Sequence, residues 1–113
     1  MMENIFSEIP ENSLRDNVLQ YAKTTYGTTP ERLWRSHPDF LVLRHEDNQK
    51  WYGLVMDVER EKLHLPDDLR KEDDVDILNL KCDPNLAGSL MANPGIFPAY
   101  HMNKVNWISV LLD

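Results

Sequence analysis

The sequence predicts an α+β domain built on a curved, mainly antiparallel β-sheet with helices packed on one face. Three observations point there. A helix-period apolar stripe lies near the start, alternating apolar residues take over from Phe40, and the elements run helix, strand, strand, strand, helix, strand with no internal repeat. A chain of 113 residues buries enough surface for one core and not for two, so residues 1–113 read as a single domain.

Asn12 or Ser13 caps the first helix, whose positions Leu14, Val18, Tyr21, Ala22 and Thr25 follow helical spacing, and Gly27 stops it. Thr29 before Pro30 and Glu31 predicts a second short helical turn to about Arg35, because proline suits the first helical position. Ser36, His37 and Pro38 break it. Phe40 to Arg44 and Trp51 to Val58, separated by the polar cluster Glu46 to Gln49, read as a β-hairpin. The acidic segment that follows contains Leu63, Leu65, Pro66 and Leu69 and reads as an extended hairpin tip or long loop. Val75 to Lys81 alternates again and is a third strand. Asp83 before Pro84 starts a helix, since the carboxylate accepts from free first-turn N–H groups. Its stripe is Leu86, Ala87, Leu90 and Met91, and Asn93, Pro94 and Gly95 end it. After a connector from Ile96 to Lys104, Val105 to Leu112 makes the last strand.

Strand side chains alternate between faces, so each strand can be sorted by parity. Leu54, Met56 and Val58, then Leu78, Leu80 and Cys82, then Ile108, Val110 and Leu112 form three apolar triplets suited to a helix-covered face. The opposite parity collects Trp51, Gly53, Val55, Asn79, Lys81, Trp107 and Ser109. That face is mixed, as the wet face of an antiparallel sheet should be. Its two indoles either pack under a loop or form a binding surface beside cations.

The net charge is −7, and it is unevenly placed. Asp57 to Asp76 holds nine acids and four bases, a balance of −5, against −2 for the remainder. An acidic total argues against a general nucleic-acid binder, yet a cationic surface elsewhere could avoid this segment. The run itself reads most simply as a solvated loop.

Catalytic motifs are missing. Four glycines make no phosphate loop, no serine sits in a nucleophile elbow, and His37, His45, His64 and His101 lack the spacing of a metal pair. Asp73, Asp74 and Asp76 lack the glycine and glutamate of a calcium loop. Cys82 has no second thiol for zinc, and its parity favours a buried, inert core residue over a reactive one. The expectation is a non-enzymatic protein with no metal and no cofactor. With one cysteine and no basic start followed by an apolar run in Met1 to Pro10, a reducing cytoplasm is the expected compartment. No apolar run reaches the length needed to span a bilayer.

Several motifs carry a family resemblance. Tyr26-Gly27-Thr28 with Pro30-Glu31, His37-Pro38, Arg44-His45, Lys50-Trp51, Leu80-Lys81-Cys82-Asp83-Pro84, Pro98-Ala99-Tyr100-His101-Met102-Asn103-Lys104 and Trp107-Ile108 resemble the MmcQ/YjbR family of small bacterial proteins. The match runs in order over nearly the whole chain, and the Tyr-His-Met-Asn-Lys run is its most specific part. The resemblance implies a CyaY-like fold described as a double-wing DNA-binding module. Chains of this family usually continue into a terminal helix that is absent here. If the apolar triplets face that helix's place, the chain exposes apolar surface and self-associates. The CyaY likeness also raises iron binding, but the first helix offers only Asp16, with Glu8 and Glu11 before it, against Arg15 and Lys23, so an acidic iron ridge is not supported.

Two functions follow, from different classes. In the first, the domain binds DNA weakly and with little sequence selectivity. Arg44, Lys50, Lys81 and Lys104 contact phosphates, and Trp51, His101, Asn103 and Trp107 belong to the same surface. In the second, it is a protein-interaction or small-ligand module, with Tyr100, His101, Asn103 and Lys104 lining a pocket beside Trp107 and no nucleic acid involved. Against both stands a turn whose polar groups serve the connector's own backbone.

Overall fold

A computed structural model describes residues 13–65, 69 and 72–112. Asn12, Glu8, Glu11 and the acidic segment at 66–68 and 70–71 lie outside the described residues. The elements are α1 (Leu14–Tyr26), β1 (Leu41–Arg44), β2 (Trp51–Glu59), a 3-10 turn (Arg60–Leu63), β3 (Asp74–Lys81), α2 (Pro84–Leu90), β4 (Ile96–Pro98) and β5 (Trp107–Leu111). All the strand pairs are antiparallel, and the five strands lie in the order β1-β2-β3-β5-β4.

Local chemistry explains the ends of the elements. The Ser13 side chain accepts from the Asp16 N–H at the start of α1. Gly27 closes it in the left-handed region at φ 69°, where its N–H reaches the Ala22 and Lys23 carbonyls. The Asp83 carboxylate accepts from Asn85 N–H at 2.8 Å to start α2, with Pro84 in the first turn. Between Gly27 and β1 no helical turn forms, contrary to the expectation for Thr29 to Arg35. Glu31 instead pairs with Val42, N–H to O at 3.0 Å and 2.9 Å, which holds the chain extended along the β1 edge. The connector expected after α2 contains β4, a three-residue edge strand ending in Pro98, a common way to blunt a sheet edge.

Both faces of the sheet carry apolar clusters, the α1 face with an open trough beside α1, and this corrects two expectations. Leu54, Met56 and Val58 do not share a face with Leu78 and Leu80. Register pairs Gly53 with Leu80 and Val55 with Leu78, so these residues join Leu41 and Leu43 under Ala22 and Val18 of α1. The Leu54, Met56 and Val58 set lies opposite, with Val42, Val75 and Ile77. No wet face remains there, because Trp34, Phe40, Leu63, Tyr100 and Met102 from loops and the 3-10 turn pack over it. A register shift between Leu43 and Arg44 reverses parity at the start of β2, sending Trp51 to the loop-covered face and Tyr52 to the α1 face. Gly53 beside this shift sits close against the neighbouring strand: a Cβ there would lie 3.0 Å from Leu43 Cδ1 and push that side chain aside.

At the centre of the loop-covered face lie Asn79 and Ser109, fully buried and directly paired across β3 and β5. The Ser109 hydroxyl donates to Asn79 Oδ1 and accepts from Tyr100 N–H at 2.9 Å, while Asn79 Nδ2 donates to the Tyr100 carbonyl at 3.0 Å. The two side chains therefore saturate one backbone unit of the loop after β4. Removing one partner leaves the others buried without a hydrogen bond. Asn79→Ala is expected to lower unfolding free energy by about 2–3 kcal/mol and Ser109→Ala by about 1–2 kcal/mol. Urea denaturation checks both, and values near zero would show that the loop is held by its apolar contacts alone.

Candidate nucleic-acid interface

Antiparallel pairing brings distant sequence segments to one end of the sheet. The Arg44 end of β1, the Trp51 start of β2, the Lys81 end of β3 and the Trp107 start of β5 all lie there, since Arg44 pairs with Trp51, Gly53 with Leu80 and Lys81 with Trp107. Lys50 immediately precedes β2, and Lys104 lies three residues before β5. Four cations from four segments thus gather at one end. The opposite end is acidic: Asp57 pairs directly with Asp76 and Glu59 with Asp74. Eight residue steps along β2 separate the two ends, about 26 Å at the usual strand rise.

The cations differ in how free they are. Lys50 and Lys81 are exposed. Arg44 is partly buried, its Nε bonded to Glu31 Oε2 at 2.8 Å, its Nη1 to the Gln49 carbonyl at 3.3 Å and its guanidinium 5.9 Å from the Trp51 ring. The Glu31 charge offsets much of its own. Lys104 donates to the Ala99 carbonyl at 2.9 Å, and Asn103 Oδ1 accepts from Val105 N–H at 2.7 Å. These two side chains serve the connector's backbone, as the alternative turn reading expected.

The aromatic candidates divide in the same way. Trp51 is half-buried, edge-on to Trp34 with ring centroids 5.8 Å apart. His101 is exposed, stacked on Tyr100 at 4.1 Å, and takes a left-handed φ of 59°. Trp107 is buried, with 9% exposure, so its indole belongs to the core in this conformation and presents no open face for stacking. The pocket imagined for Tyr100, His101, Asn103 and Lys104 beside Trp107 does not form as such. Tyr100 and His101 line a cleft of about 360 Å³ that opens toward His37, Lys62, Asp57 and Asp74, without the other three. Cys82, expected in the core, is half-exposed past the end of β3, its thiol donating to the Asp83 carbonyl at 3.3 Å.

Sequence reasoning missed the Glu31–Arg44 pair, whose partners are thirteen residues apart and meet only because Glu31 bridges to Val42. It also missed the structural use of Asn79. A lone Asn between Leu78 and Leu80 was the available signal, since an amide centred in an apolar strand needs buried partners. Among the described residues, no group of three or more His, Cys, Asp or Glu is arranged to hold a metal ion, and no helix is long and apolar enough to cross a membrane.

Comparison with known proteins agrees with this architecture. The family model described as YjbR matches residues 23–113. YyaQ of Bacillus subtilis is 42% identical over 99 residues, 88% of this chain and 80% of its own length. A Pseudomonas syringae protein solved by crystallography is 47% identical, with a TM-score of 0.78 over 87% of this chain and 80% of that one. A Deinococcus radiodurans crystal structure, 23% identical with a TM-score of 0.61 over 89% of this chain and 64% of its own, shares the fold.

The acidic end has a measurable consequence. Arg15 of α1 reaches across to it, its Nη1 3.4 Å from Asp76 Oδ1 and its Nη2 bonded to the Asp39 carbonyl. Burial pushes the Asp76 carboxyl above its ordinary value, with Arg15 opposing the rise and the facing Asp57 adding to it. A carboxyl raised in the folded state adds stability that is fully present below its unfolded pKa and is lost as pH rises through the folded one. The stability of the wild type relative to Asp76→Asn should therefore fall as pH rises through the window just above the usual Asp range. Urea denaturation at stepped pH reads this difference directly, and a difference that grows with pH would refute it.

Proposed function

This chain belongs to the YjbR family, and from that premise we propose that it is a non-catalytic DNA-binding module that uses the cationic end of its sheet. The observation that carries the reading is the placement of charge along the sheet: the end that carries Arg44, Lys50, Lys81 and Lys104 stands about 17–26 Å, at the usual strand rise, from the acid pairs of β2 and β3. At physiological ionic strength the Debye length is about 8 Å, so a phosphate backbone at the cationic end is largely screened from the acids at the other. The net charge of −7 then slows approach without forbidding contact.

The chemistry of this end favours backbone contact over base reading. Lys50 and Lys81 are point charges on flexible stems that gain affinity by counterion release. Arg44, the side chain able to grip a base edge with two hydrogen bonds, is occupied by Glu31 and the Gln49 carbonyl. Neither helix offers a row of Arg or Asn to a groove. His101, exposed on a left-handed backbone, lines the cleft with Asp57, Glu59 and Asp74 and so lies at the acidic end, outside this surface. Binding on these terms is weak, sequence-tolerant and salt-dependent, in keeping with the double-wing description that the family resemblance implies.

Fluorescence anisotropy with a labelled duplex and a labelled single strand, at stepped salt, tests the reading. Lys50→Ala and Lys81→Ala should each lower the log-log salt slope by about 1. Lys62→Ala, at the acidic end and 3.1 Å from Glu59 Oε1, should leave it unchanged. No saturable binding to either nucleic acid at low salt, or an equal loss from Lys62→Ala, would overturn the proposal and favour a protein or small-ligand partner.

A further inference from the structure

The segment between α1 and β1 carries two arginines that the proposed surface leaves unused, Arg32 and Arg35. It leaves the outer edge of β1 after the Glu31–Val42 bridge and folds over the loop-covered face. There Trp34 packs edge-on against Trp51 at 5.8 Å and against Phe40 at 5.9 Å. A hydrogen bond of 3.2 Å from His37 N–H to the Trp34 carbonyl closes a tight turn with Arg35 and Ser36 at its tip. Arg32 Nε donates to the Pro38 carbonyl at 2.9 Å and ties the two sides of the turn together.

Among the described residues, Arg35 is the arginine with no internal role. Arg15 bonds Asp76 and the Asp39 carbonyl, Arg32 the Pro38 carbonyl, and Arg44 both Glu31 and the Gln49 carbonyl, while Arg60 is buried. Arg35 is exposed and makes no hydrogen bond or ion pair among those residues. The acids nearest to it in sequence are engaged elsewhere: Glu31 is paired with Arg44, and Asp39 lines a separate recess with Asp57 and Asp76.

Exposed arginines are ordinary, and position gives this one a use. Lys81 shares its parity on β3 with Asn79, which bonds the Tyr100 backbone over the loop-covered face, so Lys81 leaves the sheet on that side. Lys104 belongs to the connector that crosses the same side, where it bonds the Ala99 carbonyl. Lys81 follows the Gly53–Leu80 pair and so lies beside the start of β2, whose first residue, Trp51, holds Trp34 and with it the turn. Arg35, Lys81 and Lys104 thus come from three separate segments to one side of the cationic end.

We infer that Arg35 is a further phosphate contact of this surface and the one that supplies a guanidinium fork, an inference that rests on the DNA-binding reading above. A phosphate accepts two parallel N–H bonds from a free guanidinium, a geometry that no lysine reproduces. Arg44 has no such fork to offer, since Glu31 and the Gln49 carbonyl take its donors. The turn tip carries Arg35 clear of the apolar face, so a duplex backbone resting on Lys81 meets it without any element entering a groove. A contact of this kind fixes the register and orientation of the duplex and reads no base.

Fluorescence anisotropy of the full chain with a labelled duplex at stepped salt tests this, with Arg35→Ala, Arg35→Lys and Lys81→Ala measured side by side. Arg35→Ala is expected to weaken binding about tenfold at low salt and to lower the log-log salt slope by about 1. Arg35→Lys should restore the slope, because the charge is kept, and leave affinity below wild type, because the fork is lost. Neither change should move the urea midpoint, since Arg35 is exposed and bonds nothing in the described fold. If Lys81→Ala lowers the slope and Arg35→Ala leaves slope and affinity unchanged, the inference is overturned and the DNA-binding reading stands. No saturable binding by the wild type overturns both. Full recovery of affinity in Arg35→Lys also overturns the inference, since a point charge would then suffice. So does a loss in Arg35→Ala confined to one duplex sequence with the slope intact, which would make Arg35 a reader of base edges.

Discussion

The hydrogen bonds that join Asn79, Ser109 and the Tyr100 backbone are the constraint on which the rest of the molecule depends. An antiparallel sheet in a chain this size normally leaves one face to water. Here that face is dry, and the loop after β4 lies across it. A loop over an apolar face brings backbone polar groups out of water, which costs free energy unless each finds a partner. Asn79 and Ser109 supply those partners from the centre of β3 and β5, with no water required in the interior. Tyr100 and Met102 then pack on the core. His101, between them, points outward with a left-handed backbone. The buried network and the exposed aromatic side chain are thus two consequences of one turn.

The cationic end follows the same logic of internal satisfaction before external contact. Lys104 and Asn103 complete the hydrogen bonding of the turn, and Arg44 ties the extended segment at Glu31 to the end of β1. A residue serving the backbone in this way is pre-positioned, and its charge remains. Lys104 is exposed and donates one of its three protons to Ala99, so two stay available for a phosphate. Arg44 is in a different position, because the Glu31 carboxylate neutralises it at 2.8 Å. The positive charge of this end outside the Glu31 pair therefore rests on Lys50, Lys81 and Lys104, with Glu46, Asp47 and Asp83 as their acidic neighbours along the chain.

Much of the fold was legible because its signals are local. Ser13 and Gly27 bound α1, Asp83 and Pro84 start α2, and the alternation of β2 and β3 places their ends within a residue or two. What failed depended on long-range pairing. Parity assigns faces correctly within a strand, but it does not say which face of one strand continues which face of the next. Only the pairing of Gly53 with Leu80 decides that. The shift at Leu43 and Arg44 then moves Trp51 and Tyr52 to sides that simple alternation cannot anticipate. Thr29 to Arg35 carries good helix-start chemistry, yet two hydrogen bonds to Val42 outweigh it. The candidate site was legible as residue types, while their freedom was not. Trp107 looks like Trp51 in the sequence, and burial alone separates them.

The cationic end and the trough meet at the β3–α2 junction, where Lys81 and Cys82 border both. A site with so few free cations per chain gains little affinity by itself, because each neutralised phosphate contributes only one increment of counterion release. Nucleic-acid binding of the kind proposed would therefore show a shallow salt slope and a weak affinity, lowered further by the net charge of −7 as a phosphate backbone approaches. Its weak sequence preference would follow from Arg44, whose guanidinium is held by Glu31 and the Gln49 carbonyl and so is not presented to a base edge.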